Sequence, residues 1–247
     1  MATVKKRPAA RSLAALRKRL RELGDAGDAE FLQRFFKTGP GQYGEGDRFL
    51  GIRVPVTRKL AHEFRDLPLD DIARLLHEPW HEARLLAVIM LSDAYARGTP
   101  AERAEIFRLY LDNAERVNNW DLVDASAPNI VGAHLATRSR TVLDKLARSK
   151  NLWERRIAVV ANQHLIRLGE FDDTIRVAKV LLTDKHDLIH KAVGWMLREV
   201  GDRDASVLDG FLDEHAHEMP RTMLRYAIEK MQPAKRRRYM SARAERS

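Results

Sequence analysis

The chain contains no cysteine. Disulfides, thiolate nucleophiles and cysteine-ligated zinc are therefore excluded, and the composition fits a reducing interior. No apolar run approaches the roughly 18 residues a membrane-spanning helix needs. The first residues, Met1–Arg11, are basic but carry no apolar h-region, so they do not read as a secretory signal and a cytoplasmic protein is expected. Convincing period-2 runs of β-branched residues are missing, which argues against a sheet. Serine-nucleophile, P-loop and deaminase signatures are absent too. Aromatic residues make up only 7% of the chain, so its four tryptophans, Trp80, Trp120, Trp153 and Trp195, stand out.

What is present is charge and helical periodicity. Lys and Arg total 44 against 35 Asp and Glu, a formal charge of +9, with local density at Arg17-Lys-Arg-Leu-Arg21 and Lys235-Arg-Arg-Arg238. Such a balance attracts polyanions, of which nucleic acid is the commonest; the second run also reads as a plain solvated tail. A 45% hydrophobic content over 247 residues supports a real core. Apolar residues recur at spacings of three and four along almost the whole chain. Pro55, Pro68, Pro100 and Pro220 fit first-turn positions, Thr99 can cap the helix that Pro100 opens, and Gly98, Gly169 and Gly201 fit helix ends. The pattern predicts an all-α chain of about twelve helices: a basic tail over 1–11, one repeat domain over 12–232, and a basic segment over 233–247.

The helices repeat. Arg84, Arg156, Lys191 and Arg225 each precede an apolar helical run; their spacing matches steps of 34–36 residues, and the missing step after Arg84 falls on Trp120. Two helices per unit at that period is the mark of an α-solenoid, HEAT-like in kind. Equivalent positions of a solenoid line one surface, usually the concave one, so these four cations are expected to form a basic stripe suited to a duplex. The alternative is that each braces a neighbour through acids such as Glu82 and Glu154.

Two formal motifs carry little. Gly39-Pro-Gly-Gln-Tyr-Gly44 matches G-x-G-x-x-G, but no strand precedes it and there is no βαβ unit. Tyr43 on this loop is placed either to touch a ligand or to pack the loop down. His77-Glu-Pro-Trp-His81 matches H-E-x-x-H, but Pro79 should break the helix that a zinc site needs. His186 and His190 lack an obvious third ligand, so no metal is expected.

Asn118-Asn-Trp-Asp-Leu-Val-Asp124 carries more. Trp120 and Asp124 are four apart and share a helix face. An indole beside a carboxylate suits a cationic, sugar-like transition state; a packed tryptophan beside a surface acid is the plainer reading. Trp80 and Trp153 read as core. Trp195 follows Gly194, which leaves room for a close neighbour.

The segments Lys37–Asp47, Leu50-Gly-Ile-Arg-Val-Pro55, Asn119–Asp124, Leu152-Trp-Glu-Arg-Arg156 and Lys191–Glu199 together resemble the AlkD-type DNA alkylation repair glycosylases, a family of HEAT-like-repeat proteins. The resemblance spans about Phe35 to Met231. It implies excision of cationic alkylated purines, N3-methyladenine and N7-methylguanine, from double-stranded DNA, with the base left stacked. It places the family's catalytic residues on Asp124, Trp120 and Trp195 and its phosphate contact on Arg156. Tyr43 resembles a family tyrosine near the DNA, although the loop spacing differs. One departure is visible: Asn119 stands where the pattern has a second tryptophan. The resemblance implies no metal or organic cofactor, and a nucleoid-associated monomer is expected. Two rivals remain, a HEAT-like binder of damaged or branched DNA without excision and an α-solenoid protein scaffold.

Overall fold

Two kinds of local signal set the helices of the computed structural model, which describes residues 12–241. The first is capping. Thr99 Oγ1 accepts the Glu102 N–H while Glu102 Oε2 accepts the Thr99 N–H at 2.7 Å, a reciprocal box in front of Pro100. Ser12, Asp25, Asn151 and Asp204 cap their helices more simply, each accepting a first-turn N–H through its side chain. The second is proline. Pro55 and Pro100 lie in first turns, and Pro68 and Pro220 stand at the cap. Gly169 leaves its helix with φ 81, the conformation open to glycine, whereas Gly201 remains inside the helix Asp187–Gly201. A Cβ there would crowd the Leu208 side chain, with Cδ2 at 2.3 Å and Cβ at 3.3 Å.

Among the described residues the chain is all-α, with an isolated backbone bridge between Arg48 and Trp80 and no strand. Among the described residues there are fourteen helices when those that continue through one irregular turn are joined, against about twelve expected. Lys235–Arg238 is no tail: it lies on the helix Pro233–Ser241, whose Tyr239 is buried and donates to Asp213 at 3.0 Å. The tail 1–11 and residues 242–247 lie outside the described residues.

The chain divides into two compact units, one ending at Ser126 and one starting at Ala127. In the first, His81–Arg97 is the central helix and packs on Val54–Glu63, Leu69–Leu76 and Pro100–Asp112. Every residue from His81 to Leu91 is buried. In the second, Asp187–Gly201 takes that part, packing on Leu152–Val160, Ala205–His215 and Arg221–Ala227. Gly194 permits the last contact, since a Cβ there would lie 2.4 Å from the Met223 carbonyl oxygen. No described helix is long and apolar enough to cross a membrane.

Candidate functional site

The helix Trp120–Ala127 is placed from both sides. Asn119, fully buried, accepts the Trp120 N–H through Oδ1 at 2.8 Å and donates from Nδ2 to Asp47 at 3.4 Å. This explains the departure noted at that position: a capping amide that also reaches a buried carboxylate is a task an indole cannot perform. Opposite, Ser126 donates to the Leu122 carbonyl at 2.6 Å and bonds the buried Tyr110 hydroxyl at 2.8 Å, and Leu122 and Val123 are sealed in the core. Trp120 and Asp124 share the remaining face, one turn apart and both half-buried. Beyond them Pro128 cannot donate to the helix ladder, and the chain widens into a π-turn over Pro128–Gly132.

Trp120 is tethered instead of sealed in. Its Nε1 donates to the Tyr43 hydroxyl at 3.3 Å, its ring stacks on Phe36 at 5.2 Å, and Phe35 meets it edge-on at 6.1 Å. Phe35 stacks in turn on Phe31, and both rings are 53% exposed. Tyr43 therefore packs its loop onto the tryptophan. The same loop uses its own donors: the Gly39 N–H goes to Gln42 Oε1 at 3.0 Å and the Gly41 N–H to Glu45 Oε2 at 2.9 Å. A phosphate cradle needs such groups directed outward, so the glycine motif is a folded turn.

Beneath this pair lies a buried ionic cluster. His81 is 2% exposed, with Nδ1 at 2.8 Å from Asp47 and Nε2 at 2.8 Å from Asp121. Phe36 and Phe49 flank its ring at 4.9 and 4.5 Å. Burial pushes the imidazole pKa down, but Asp121 and then Asp47 outweigh it and raise it from 6.5 to about 9. Burial likewise opposes ionisation of Asp47, but His81 and Arg84 hold it below the usual carboxylate range. Pro79 does break the chain, so His77 ends one helix, bonded to Asn113 at 2.9 Å, and His81 opens the next. Among the described residues no three acidic or histidine side chains are grouped to hold a metal.

Arg84 belongs to this cluster and not to a solvent-facing stripe. It is 5% exposed and donates to Asp47 at 2.5 Å, Asn118 at 3.1 Å and the Glu78 carbonyl at 3.1 Å. The bracing alternative describes it, with Asp47 as partner in place of Glu82. The other expected cations lie in the second unit and differ among themselves. Arg156 is buried and donates to the Leu188 carbonyl at 2.7 Å. Lys191 pairs with Asp187 at 2.8 Å. Arg225 is exposed. Trp195, half-buried, follows Lys191 by one turn and donates to Glu199 at 3.2 Å. Arg156, Lys191 and Arg225 are each fifth in their helices, and so is Asp124; Trp120 is first. The repeat therefore puts the acid, not the indole, where cations stand elsewhere, because that helix starts at Trp120, later than a 36-residue step back from Leu152 would place it.

A sequence model described as "DNA alkylation repair enzyme" matches residues 16–231, most of the chain. The chain belongs to the DNA alkylation repair enzyme family. Its fold is similar to a solved structure from Enterococcus faecalis titled "Predicted DNA alkylation repair enzyme", with a TM-score of 0.65 and 18% identity over 85% of this chain and 97% of that one. No curated protein matches the chain. Membership of the DNA alkylation repair family assigns the chain a part in the repair of alkylated DNA.

For a DNA alkylation repair protein, sequence reasoning missed the His81–Asp47–Asp121 cluster and the Phe31–Phe35 ladder. A signal for the first was present. His81, Glu82 and Arg84 head a stretch that is apolar on all sides, and a helix apolar all round is buried, so its charges require partners.

Proposed function

We propose that the chain is a DNA glycosylase that hydrolyses the N-glycosidic bond of cationic alkylated purines, N3-methyladenine and N7-methylguanine, in duplex DNA without extruding the base. One observation supports this most: Trp120 and Asp124 stand one turn apart on a helix whose other side is fully bonded, with the indole held by Tyr43. Alkylation leaves a positive charge on the base, which makes it a good leaving group. As the bond breaks, charge develops on the sugar as an oxocarbenium-like cation. The Asp124 carboxylate stabilises that charge and orients or deprotonates the attacking water. The Trp120 and Trp195 faces pack against the deoxyribose and add a cation–π term. Arg156, oriented by its bond to Leu188, takes the phosphate of the damaged nucleotide. Tyr43 holds Trp120 and borders the DNA. Lys191 and Arg225 supply sequence-independent phosphate contacts, and Arg84 is left to the interior. The protein acts on DNA as a monomer, with no cofactor in these steps.

The test is release of free base from duplex containing 7-methylguanine by wild type and by Asp124→Asn. Removing the charge should lower the single-turnover rate by about 10² or more, while leaving the affinity for DNA near wild type. Release by both proteins at the same rate overturns the assignment of Asp124. Salt-sensitive binding without release by wild type supports the non-catalytic DNA binder, and no salt-sensitive binding at all defeats both DNA readings.

A further inference from the structure

Both ring nitrogens of His81 lie 2.8 Å from carboxylate oxygens, Nδ1 from Asp47 and Nε2 from Asp121. Ionised carboxylates only accept, so both nitrogens carry protons and the ring is an imidazolium. The two acids come from different places. Asp47 follows the loop that carries Tyr43, and Asp121 is the neighbour of Trp120. We propose that His81 is a positioning residue: its imidazolium clamps the Tyr43 loop to the start of the Trp120–Asp124 helix and so fixes the tyrosine–tryptophan contact at the reacting sugar. The proposal rests on the glycosylase reading and extends it.

The charged groups next to the ring are engaged with one another or with backbone. From its own helix, Arg84 reaches Asp47 at 2.5 Å, while Glu82 turns away to the Leu50, Gly51 and Ile52 N–H groups. From the helix start, Asn119 donates to Asp47 at 3.4 Å, and the other Asp121 oxygen accepts the Leu122 N–H at 2.9 Å. Phe36 and Phe49 close the two ring faces. Two cations balance two carboxylates in a space with little water. Loss of one His81 proton sets a nitrogen lone pair against a carboxylate oxygen. Asp121 is the freer of the two acids, with a side-chain exposure of 15% against 3% for Asp47. It is the one to withdraw, and Trp120 is attached to it. The clamp is complete at neutral pH and fails as pH rises through about 9.

The experiment follows His81 and Trp120 separately by NMR and then measures base release. In wild type the imidazole resonances should titrate near 9, and the Trp120 indole N–H resonance should move with the same midpoint. Single-turnover release from 7-methylguanine duplex, corrected for uncatalysed loss, should fall over that interval. His81→Gln should lose about tenfold or more in rate with DNA affinity little changed. His81→Arg keeps a planar, permanently charged donor between the phenylalanines, so it should restore the rate to within about threefold and lack the alkaline fall. A purely structural histidine would not give that pairing of rescue and lost pH dependence. An imidazole titrating near 6.5, a Trp120 resonance indifferent to His81, or His81→Gln at wild-type rate overturns the proposal. If His81→Gln does not fold, the wild-type titrations and His81→Arg still decide it. If wild type releases no base the glycosylase reading fails, while the two NMR midpoints still test the clamp.

Discussion

Glu82 allows the anchoring of the site loop to be tested quantitatively. Its carboxylate is 1% exposed and accepts three backbone N–H groups, from Leu50 at 2.8 Å, Gly51 at 2.8 Å and Ile52 at 3.1 Å. These donors belong to an irregular segment, so no helix ladder serves them. The segment is closely packed: Gly51 has φ 86, and a Cβ there would stand 1.9 Å from the Asp25 carbonyl oxygen. A buried donor left unmade costs about 1–3 kcal/mol. Glu82→Ala orphans all three, although water can reach half-buried Leu50, so the loss should be about 4 kcal/mol. Glu82→Gln keeps the oxygen that serves Gly51 and Ile52 and turns an amide N–H toward Leu50, so it should lose about 2 kcal/mol. Urea unfolding followed by far-UV circular dichroism measures both. At about 2–4 °C per kcal/mol for a chain of this size, the alanine variant should melt some 8–16 °C lower. An equal loss for the two variants would show that charge, not the number of bonds, holds the loop. A loss under about 1 kcal/mol for alanine would refute the anchoring account altogether.

Two further outcomes are expected. Gly194→Ala places a Cβ 2.4 Å from the Met223 carbonyl oxygen and 2.5 Å from Tyr226 Cβ, so overpacking should outweigh the gain in helix propensity and cost about 2 kcal/mol in the same unfolding assay; a more stable variant would mean the two helices separate freely. Arg225→Ala should lower the slope of log affinity against log salt by about one for any duplex sequence, and an unchanged slope removes Arg225 from the DNA surface.

The helices were legible because their signals are local. Thr99, Pro100 and Glu102 lie within four positions and form the capping box that such a sequence calls for. The face shared by Trp120 and Asp124 was legible for the same reason, since a helix converts a spacing of four into adjacency. The repeat was legible as a period but not as a register: one buried asparagine starts the helix at Trp120 and shifts the acid into the cation position. Exposure was not legible from the repeat position. Arg84 and Arg225 look alike in the sequence, yet one is 5% exposed and spent on three acceptors and the other stands in solvent.

What separates these cases is sequence distance. Tyr43 and Trp120 are 77 positions apart, Asp47 and His81 are 34 apart, and His81 and Asp121 are 40 apart. A periodic pattern reports which face of an element is buried and says nothing of what it is buried against. The stretch His81-Glu-Ala-Arg84 shows where that boundary lies. Its charges head a helix whose next residues are almost all apolar, so burial of the charges followed from the pattern, and buried charge must be neutralised. The partners came from Asp47, in a glycine-rich loop that resembled a nucleotide motif, and from Asp121, which the Trp120–Asp124 spacing had passed over. The formal zinc signature thus supplies the histidine of the ionic clamp, and one of the clamp's two acids stands three residues after the formal dinucleotide signature. Pro79 and the self-bonded loop exclude the usual chemistry of each, and what joins the two segments is the 2.8 Å contact between His81 and Asp47.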